Sequence, residues 1–107
     1  MFTRVVEVTT KTGKGRELTR IVSEKVLSIL KAQPGFLDEI TLVSDEEPDS
    51  ILAISFWKSR GDAEKYHREN FSRVTEIITS LIEGAPQVRT FDVEQSTIHK
   101  IAAGKAA

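Results

Sequence analysis

The chain has 107 residues, of which 39% are hydrophobic and none is cysteine, with 15 Lys and Arg against 16 Asp and Glu. This length fits one domain, and the lack of cysteine excludes disulfide frameworks, thiolate metal sites and cysteine nucleophiles. A net charge of −1 argues against nucleic acid as a partner, because such binding needs a basic surface. No apolar run approaches the roughly 18 residues of a membrane span, so we expect a soluble, cytoplasmic protein without a membrane partner.

The first half of the chain predicts a strand, a helix and a second strand. Residues 2–10 are rich in β-branched side chains, which suit a strand. Apolar residues then recur at helical spacing over residues 16–31, and a Pro-Gly pair ends this helix. Residues 36–44 alternate between apolar and polar and predict the second strand, which an acidic turn follows at residues 45–49.

The second half predicts a strand over residues 51–57, a helix over residues 60–82 and a fourth strand over residues 88–94. A Gly-Ala-Pro segment is expected to end the second helix. The order β-α-β-β-α-β predicts a ferredoxin-like α+β fold, in which two right-handed crossovers place both helices on one face of a four-stranded antiparallel sheet. We assign residues 1–97 to this domain and residues 98–107 to a C-terminal tail.

The third predicted strand is apolar on both of its faces. Its apolar residues are Leu52, Ile54 and Phe56 on one face and Ile51, Ala53 and Trp57 on the other. A sheet that is covered by helices on one side usually shows polar residues on the side that faces water. Two interpretations stay open, a central strand with some tolerated exposure and a homodimer in which a second copy covers the open face. We favour the homodimer.

Short motifs along the chain carry a family resemblance. They are Gly13-Lys14-Gly15, Gln33-Pro34-Gly35-Phe36-Leu37, Ser55-Phe56-Trp57-Lys58-Ser59, Tyr66-His67 with Phe71, and Pro86 before Val88 to Val93. Together they resemble the antibiotic biosynthesis monooxygenase (ABM) family of dimeric ferredoxin-like proteins, over residues 2–97. The resemblance implies a dimeric α+β barrel made by two packed sheets. It also implies a small cavity between the helices and the sheet of each subunit.

The resemblance implies two kinds of activity. Some members of the family oxygenate aromatic polyketides or quinols with molecular oxygen and without metal or flavin, and others degrade haem. Haem-degrading members share an Asn on the first strand with a Trp and a His on the second helix, whereas here the only Asn is Asn70 and the only Trp is Trp57. Of the Trp, Tyr, Asn and Arg that surround the cavity of the cofactor-free oxygenases, only Trp57 and Tyr66 find a match.

Trp57 and His67 are the candidate catalytic residues. The indole N–H of Trp57 is suited to donate to a phenolate or hydroperoxide oxygen, and the alternative is a Trp that seals the core. His67 lies four residues after Ala63 and four before Phe71, so it faces or borders the buried stripe of its helix. Its imidazole is suited to remove a phenolic or C–H proton near neutral pH, and the alternative is a structural histidine at the helix flank.

Tyr66, Phe71 and Arg4 are the candidate ligand-binding residues. Adjacent residues on a helix point about 100° apart, so only one of Tyr66 and His67 faces squarely inward. Tyr66 either orients a ligand through its hydroxyl or is a boundary aromatic residue with a solvated tip. Arg4 either lines a cavity or lies in solvent at the edge of the sheet.

The sequence therefore predicts a monooxygenase that needs no cofactor and acts on a small electron-rich aromatic compound, a quinol or an anthrone, with molecular oxygen. The alternative is a non-catalytic dimeric domain that binds a small apolar ligand, favoured by the missing matches to Asn and Arg. No metal site is predicted, because His67 and His99 are not spaced as a ligand pair. The Gly13-Lys14-Gly15 turn also lacks the further residues of a phosphate-binding loop.

Overall fold

The computed structural model describes residues 1–99. The elements in chain order are β1 (Phe2–Thr10), α1 (Gly15–Ile21), a π turn (Val22–Val26), α2 (Leu27–Lys31), β2 (Phe36–Val43), β3 (Ser50–Trp57), α3 (Arg60–Ile78), a 3-10 turn (Thr79–Leu81) and β4 (Ile82–Asp92). No helix within these residues is long and apolar enough to span a membrane. Of the tail expected at residues 98–107, residues 100–107 lie outside the described part of the chain.

The four strands form one antiparallel sheet in the order β2-β3-β1-β4. The first helical segment, α1 to α2, and the second, α3, pack on the same face of this sheet. Their buried side chains join those of the strands in a single hydrophobic core; the helical members of that core are Leu18, Val26, Ile29, Leu30, Ala63, Tyr66, Val74 and Ile78. The predicted ferredoxin-like α+β fold is confirmed.

The fourth strand begins earlier than the sequence pattern predicts. β4 begins at Ile82, so the Gly-Ala-Pro segment lies inside the strand and does not end a helix. The pairing of β4 with β1 shifts register between Glu7 and Thr9, and Gly84 has a positive φ of 67°. An edge strand with a bulge tolerates both a glycine at a positive φ and the missing N–H of Pro86, which explains why the predicted start at residue 88 is wrong.

The first helix contains a π turn that the sequence did not predict. Within residues 22–26 the helix takes in one extra residue, which shifts the phase of its apolar face. As a result Val22 and Val26 line the same internal cavity as Leu18 before the turn and Leu30 after it. The interruption therefore keeps one apolar surface facing the sheet along the whole segment.

The face of the sheet that points away from the helices is largely apolar. Ile40 and Leu42 of β2 lie opposite Ile54 and Leu52 of β3, and the side chains of Ile40 and Leu42 are 40% and 45% exposed. On the far edge, Phe91 of β4 is 47% exposed. The apolar character expected for both faces of the sheet is therefore present, and it extends beyond β3.

The entry into β2 depends on a glycine that packs against α3. Gly35 has a φ of +79°, and a β-carbon at this position would overlap the side chain of Asp62 near the start of α3. We predict that Gly35→Ala lowers the free energy of unfolding by about 3 kcal/mol, because backbone strain and overpacking add. Urea unfolding measures the loss.

Gly13→Ala is the matched control for this substitution. Gly13 has a similar φ of +76°, but no described atom lies within 4 Å of a β-carbon built there. Strain alone predicts a loss of about 1 kcal/mol. Equal losses in the two variants would contradict the close packing of Gly35 against Asp62.

Candidate active site

A largely enclosed cavity of about 60 Å³ lies between the helices and the sheet. Most of its wall is aliphatic, and this part includes Val6, Val8, Leu18, Val22, Val26 and Ile51. Such a surface excludes water and accepts an apolar ligand, which is the usual character of a small-molecule site. The position agrees with the cavity expected from the family resemblance.

A row of polar residues crosses the helix-facing side of the sheet at one end of this cavity. Glu39 of β2 lies opposite Ser55 of β3, and Ser55 lies opposite Arg4 of β1. All three residues line the cavity. Polar groups from three strands therefore meet at one end of a mostly apolar cavity, where they are suited to fix the orientation of a ligand.

Arg4 is the cation of this row, and it is only 3% exposed. Its Nη2 atom donates to Nδ1 of His67 at 2.9 Å, and its guanidinium carbon lies 5.0 Å from the centre of the Tyr66 ring and 4.7 Å from that of Phe71. Burial lowers the pKa of Arg4, and Tyr66 partly opposes this effect. The ion pairs found within residues 1–99 do not include Arg4. A buried cation that pairs with no carboxylate of the described residues favours an anionic or oxyanionic ligand.

Tyr66, rather than its neighbour His67, points into the cavity. Tyr66 is buried among the lining residues, and burial raises the pKa of its hydroxyl while Arg4 partly opposes that rise. The phenol is therefore held in its protonated form, as a hydrogen-bond donor. Phe71 is half-buried and also lines the cavity, with its ring centre 6.4 Å from that of Tyr66.

His67 is exposed and lies on the far side of Arg4, in a second cleft between α3 and β4. Its ring stacks on Phe71 with 5.1 Å between the ring centres. Because Nδ1 accepts from Arg4, the neutral ring carries its proton on Nε2. Partial desolvation, followed by the charge of Arg4, lowers the pKa of His67. His67, which the sequence predicts to face or border the buried side of its helix, therefore lies at the edge of the site. Its role as a base stays a prediction.

Trp57 is fully buried behind two residues of the cavity wall, Ser55 and Tyr66. Its Nε1–H donates to Oγ of Ser55 at 2.9 Å, and its ring stacks on Tyr66 with 5.1 Å between the ring centres. Trp57 itself is not among the lining residues, whereas Ser55 is. The indole therefore orients the serine hydroxyl. Direct donation by Trp57 to a ligand stays a prediction, and it requires the N–H to leave Ser55 and bond the ligand instead.

Glu39 is a site residue that the sequence did not reveal. It is half-buried in the cavity wall, and its two carboxylate oxygens accept from the hydroxyl of Thr41 at 2.8 and 3.1 Å. Burial raises the pKa of Glu39, and the Thr41 bond partly opposes this rise. Glu39 belongs to no metal cluster, because residues 1–99 contain no group of three or more His, Asp or Glu side chains that is placed to hold an ion.

These features define an α+β ferredoxin-like protein with an enclosed apolar site and one polar end. A family model described as antibiotic biosynthesis monooxygenase matches residues 1–86, and the chain belongs to this family. No curated protein matches the chain at a significant level. The family membership agrees with the resemblance carried by the sequence motifs.

Solved structures support the same fold. SnoaB, a cofactor-independent oxygenase from Streptomyces nogalater, superposes with a TM-score of 0.75 at 18% identity, covering 90% of this chain and 95% of that chain. A protein of unknown function from Nitrosomonas europaea gives 0.75 at 13% identity, over 96% of this chain and 95% of that one. A protein from Pseudomonas aeruginosa gives 0.65 at 18% identity, over 84% and 90% respectively. At these identities the similarity shows the fold alone.

The contact between Arg4 and His67 predicts a change in titration. We predict that Arg4→Met raises the pKa of His67, because it removes both a nearby positive charge and a hydrogen bond to the neutral ring. Titration of the imidazole signals by NMR measures the change, and the only other histidine, His99, supplies the reference signal. An unchanged pKa of His67 would contradict the assigned contact.

The lowered pKa of His67 also determines the direction in which pH changes the stability of the protein. The pKa of folded His67 lies below its unfolded value of about 6.5, so the group contributes stability above that pH. This contribution is lost as the pH falls through the folded-state pKa. We expect acid to destabilise the native protein more than the Arg4→Met variant over this interval, with urea unfolding at several pH values as the measurement.

Proposed function

We propose that this protein is a cofactor-free monooxygenase that oxidises a small electron-rich aromatic compound of the quinol type with molecular oxygen. The observation that carries the proposal is the polar row of Glu39, Ser55 and Arg4 at one end of an enclosed apolar cavity. Membership of the antibiotic biosynthesis monooxygenase family supports the reaction class. The likeness of the fold to SnoaB, a cofactor-independent oxygenase, supports the absence of a cofactor.

In this proposal a phenolic hydroxyl of the substrate lies at the polar end of the cavity. Glu39 removes its proton, and its raised pKa makes it a stronger base than an ordinary carboxylate. The guanidinium of Arg4 and the hydroxyl of Ser55 then donate to the phenolate oxygen. Because Oγ of Ser55 accepts from Trp57, its own proton is free to point into the cavity.

The reaction needs no external reductant, because the substrate supplies the electrons. The deprotonated ring transfers one electron to oxygen, and the two radicals combine at a ring carbon that carries hydrogen to form a peroxide anion. This anion takes back the proton that Glu39 removed and becomes a hydroperoxide. Loss of water from the protonated hydroperoxide leaves a new carbonyl group. One oxygen atom enters the product and the other leaves as water with two hydrogens of the substrate. The dry aliphatic walls protect the anion from protonation by solvent.

The size of the cavity favours a substrate with a single ring. Its volume of about 60 Å³ is smaller than the roughly 150 Å³ of an engineered cavity that takes up benzene. A ligand therefore enters only when part of the wall moves, and the half-buried ring of Phe71 is the lining aromatic with solvent access to do so. A three-ring anthrone needs a much larger opening than a quinol does.

The second candidate is a domain that binds such a ligand without oxidising it. The position of Asn70 favours this alternative. Its amide donates to the side chain of Gln33 at 3.1 Å, and Asn70 is not among the residues that line the cavity. The cavity therefore lacks the asparagine that the resemblance would lead one to expect in an oxygenase.

Oxygen uptake with a panel of single-ring quinols separates the two candidates. We predict that Glu39→Gln lowers kcat by about 100-fold or more, because it removes the general base. The native rate rises with pH through the raised pKa of Glu39, since only the ionised carboxylate accepts a proton. That rise disappears in the variant.

Glu69→Gln, at an exposed carboxylate of α3, is the matched control and keeps the native rate and pH profile. His67→Gln tests the histidine in the same assay. A loss on His67→Gln with native rates for Glu39→Gln would transfer the role of base to His67. Protection against thermal unfolding by a quinol, without oxygen uptake by the native protein, would favour the binding domain.

We also propose that two copies of the chain pair through the open face of the sheet. The exposed apolar side chains of Ile40, Leu42 and Phe91 on this face support the pairing, because burial of such a surface stabilises association. The half-buried Ile54 lies at the centre of the face, between register partners on β2 and β1.

We predict that Ile54→Glu converts a dimer into a monomer, because association would bury a carboxylate without a partner. Light scattering after size-exclusion chromatography measures the mass. Ser72→Glu, on the exposed surface of α3, is the control and leaves the dimer intact. The mass of one chain for the native protein at micromolar concentration would refute the pairing.

A further inference from the structure

A second cleft, of about 340 Å³, lies between α3 and β4 on the side of Arg4 away from the enclosed cavity. Three arginines line it, Arg4 from β1 and Arg60 and Arg68 from α3. Glu64 is the one carboxylate among its lining residues. The proposed oxygenase reaction uses the enclosed cavity and assigns no role to this cleft.

The cleft concentrates positive charge in a chain that has a net charge of −1. With neutral His67, its lining residues carry an excess of two positive charges. Arg60 and Arg68 each lie four residues from Glu64, a spacing that allows ion pairs on a helix. Neither forms one within residues 1–99, where the ion pairs involve other residues. Within residues 1–99, neither guanidinium is therefore held in an ion pair that a ligand would have to break.

One of the arginines is buried, and a second, exposed one contacts an aromatic ring in the cleft wall. Arg4 is only 3% exposed, and its Nη2 atom donates to Nδ1 of His67, which also lines the cleft. The guanidinium carbon of Arg60 lies 5.2 Å from the centre of the Phe2 ring, also in the cleft wall. Arg68 lies two turns further along the same face of α3. These contacts reduce the entropy that the side chains lose when they bind a ligand.

We propose that this cleft binds a small dianion with oxygen donors, such as phosphate, a phosphate monoester or a dicarboxylate. Guanidinium groups match such ligands because their planar N–H donors bond two oxygens at once. Two negative charges on the ligand balance the excess charge of the cleft. The inference does not depend on the proposed oxidation, because it rests on residues outside the enclosed cavity and on Arg4, which lines both spaces.

Histidine signals in NMR spectra test the proposal, because the chain has only two histidines and His67 lies in the cleft. Inorganic phosphate is added to the native protein at constant ionic strength and about pH 7.5, where it is mostly a dianion. We expect a saturable shift of the His67 signals and none of the His99 signals. Malonate and acetate, titrated in parallel, distinguish a phosphate site, a general dianion site and a response to any anion.

Variants locate the ligand. Arg60→Gln and Arg68→Gln are each expected to weaken phosphate binding about tenfold, as for the loss of one charge-assisted contact. Arg73→Gln removes an equal charge from an exposed position of α3 outside the cleft and keeps the native affinity.

A saturable response to phosphate, to malonate or to both, weakened in the two cleft variants, supports the dianion site. The absence of a saturable shift with either dianion would overturn it. Equal affinity for acetate would overturn it as well. So would an equal loss of affinity in Arg73→Gln, because that result indicates a response to the overall charge of the protein.

Discussion

The burial of the Arg4 guanidinium is the constraint on which the site depends. A buried cation is costly unless other groups replace its hydration shell, and here no carboxylate of residues 1–99 forms an ion pair with it. Its stabilisation comes from the bond to His67 and from the faces of Tyr66 and Phe71. The two aromatic residues of α3, Tyr66 and Phe71, therefore do more than pack in the core. They hold a positive charge beside an apolar cavity without neutralising it, which leaves that charge available to an anionic ligand.

The register of the sheet determines which residues lie beside the guanidinium of Arg4. Because Glu39, Ser55 and Arg4 are direct cross-strand neighbours, they form one polar line across the sheet. Trp57 lies in the next row and fixes Ser55 through its indole N–H. A shift of one residue in either pairing would send Glu39 or Ser55 to the other face of the sheet and break the line. The polar end of the cavity is therefore a property of strand pairing, whereas its apolar walls come mainly from the helices and the neighbouring rows.

The sequence predicts much of this architecture, because its signals are local. β-branched runs, helical periodicity and a Pro-Gly stop identify the elements, and the order of the elements limits the topology. Arg4, Tyr66 and Phe71 were selected for the cavity, and all three line it. Glu39 was missed because β2 reverses the usual rule. Ile40 and Leu42 in the middle of the strand face away from the helices, while Glu39 and Thr41 face the cavity, so alternation alone assigns the two polar residues to solvent. The π turn and the bulge in β4 were missed for a related reason, since each depends on tertiary contacts that a periodic pattern does not contain.

The position of Arg4 in the walls of both spaces makes the two proposed ligands interdependent. A guanidinium has five N–H donors but one unit of charge, and one donor is already directed to His67. A dianion in the cleft would draw on the same charge that stabilises a phenolate in the cavity, and the two anions would repel each other across it. Each ligand therefore weakens the other by the same factor, because coupling between two binding equilibria is reciprocal. A ligand in the cleft would affect His67 directly, because it would compete with Nδ1 of His67 for the N–H donor of Arg4. If both proposals hold, His67 and Arg4 act as one unit, and a ligand in the cleft reduces how strongly the cavity stabilises an anion.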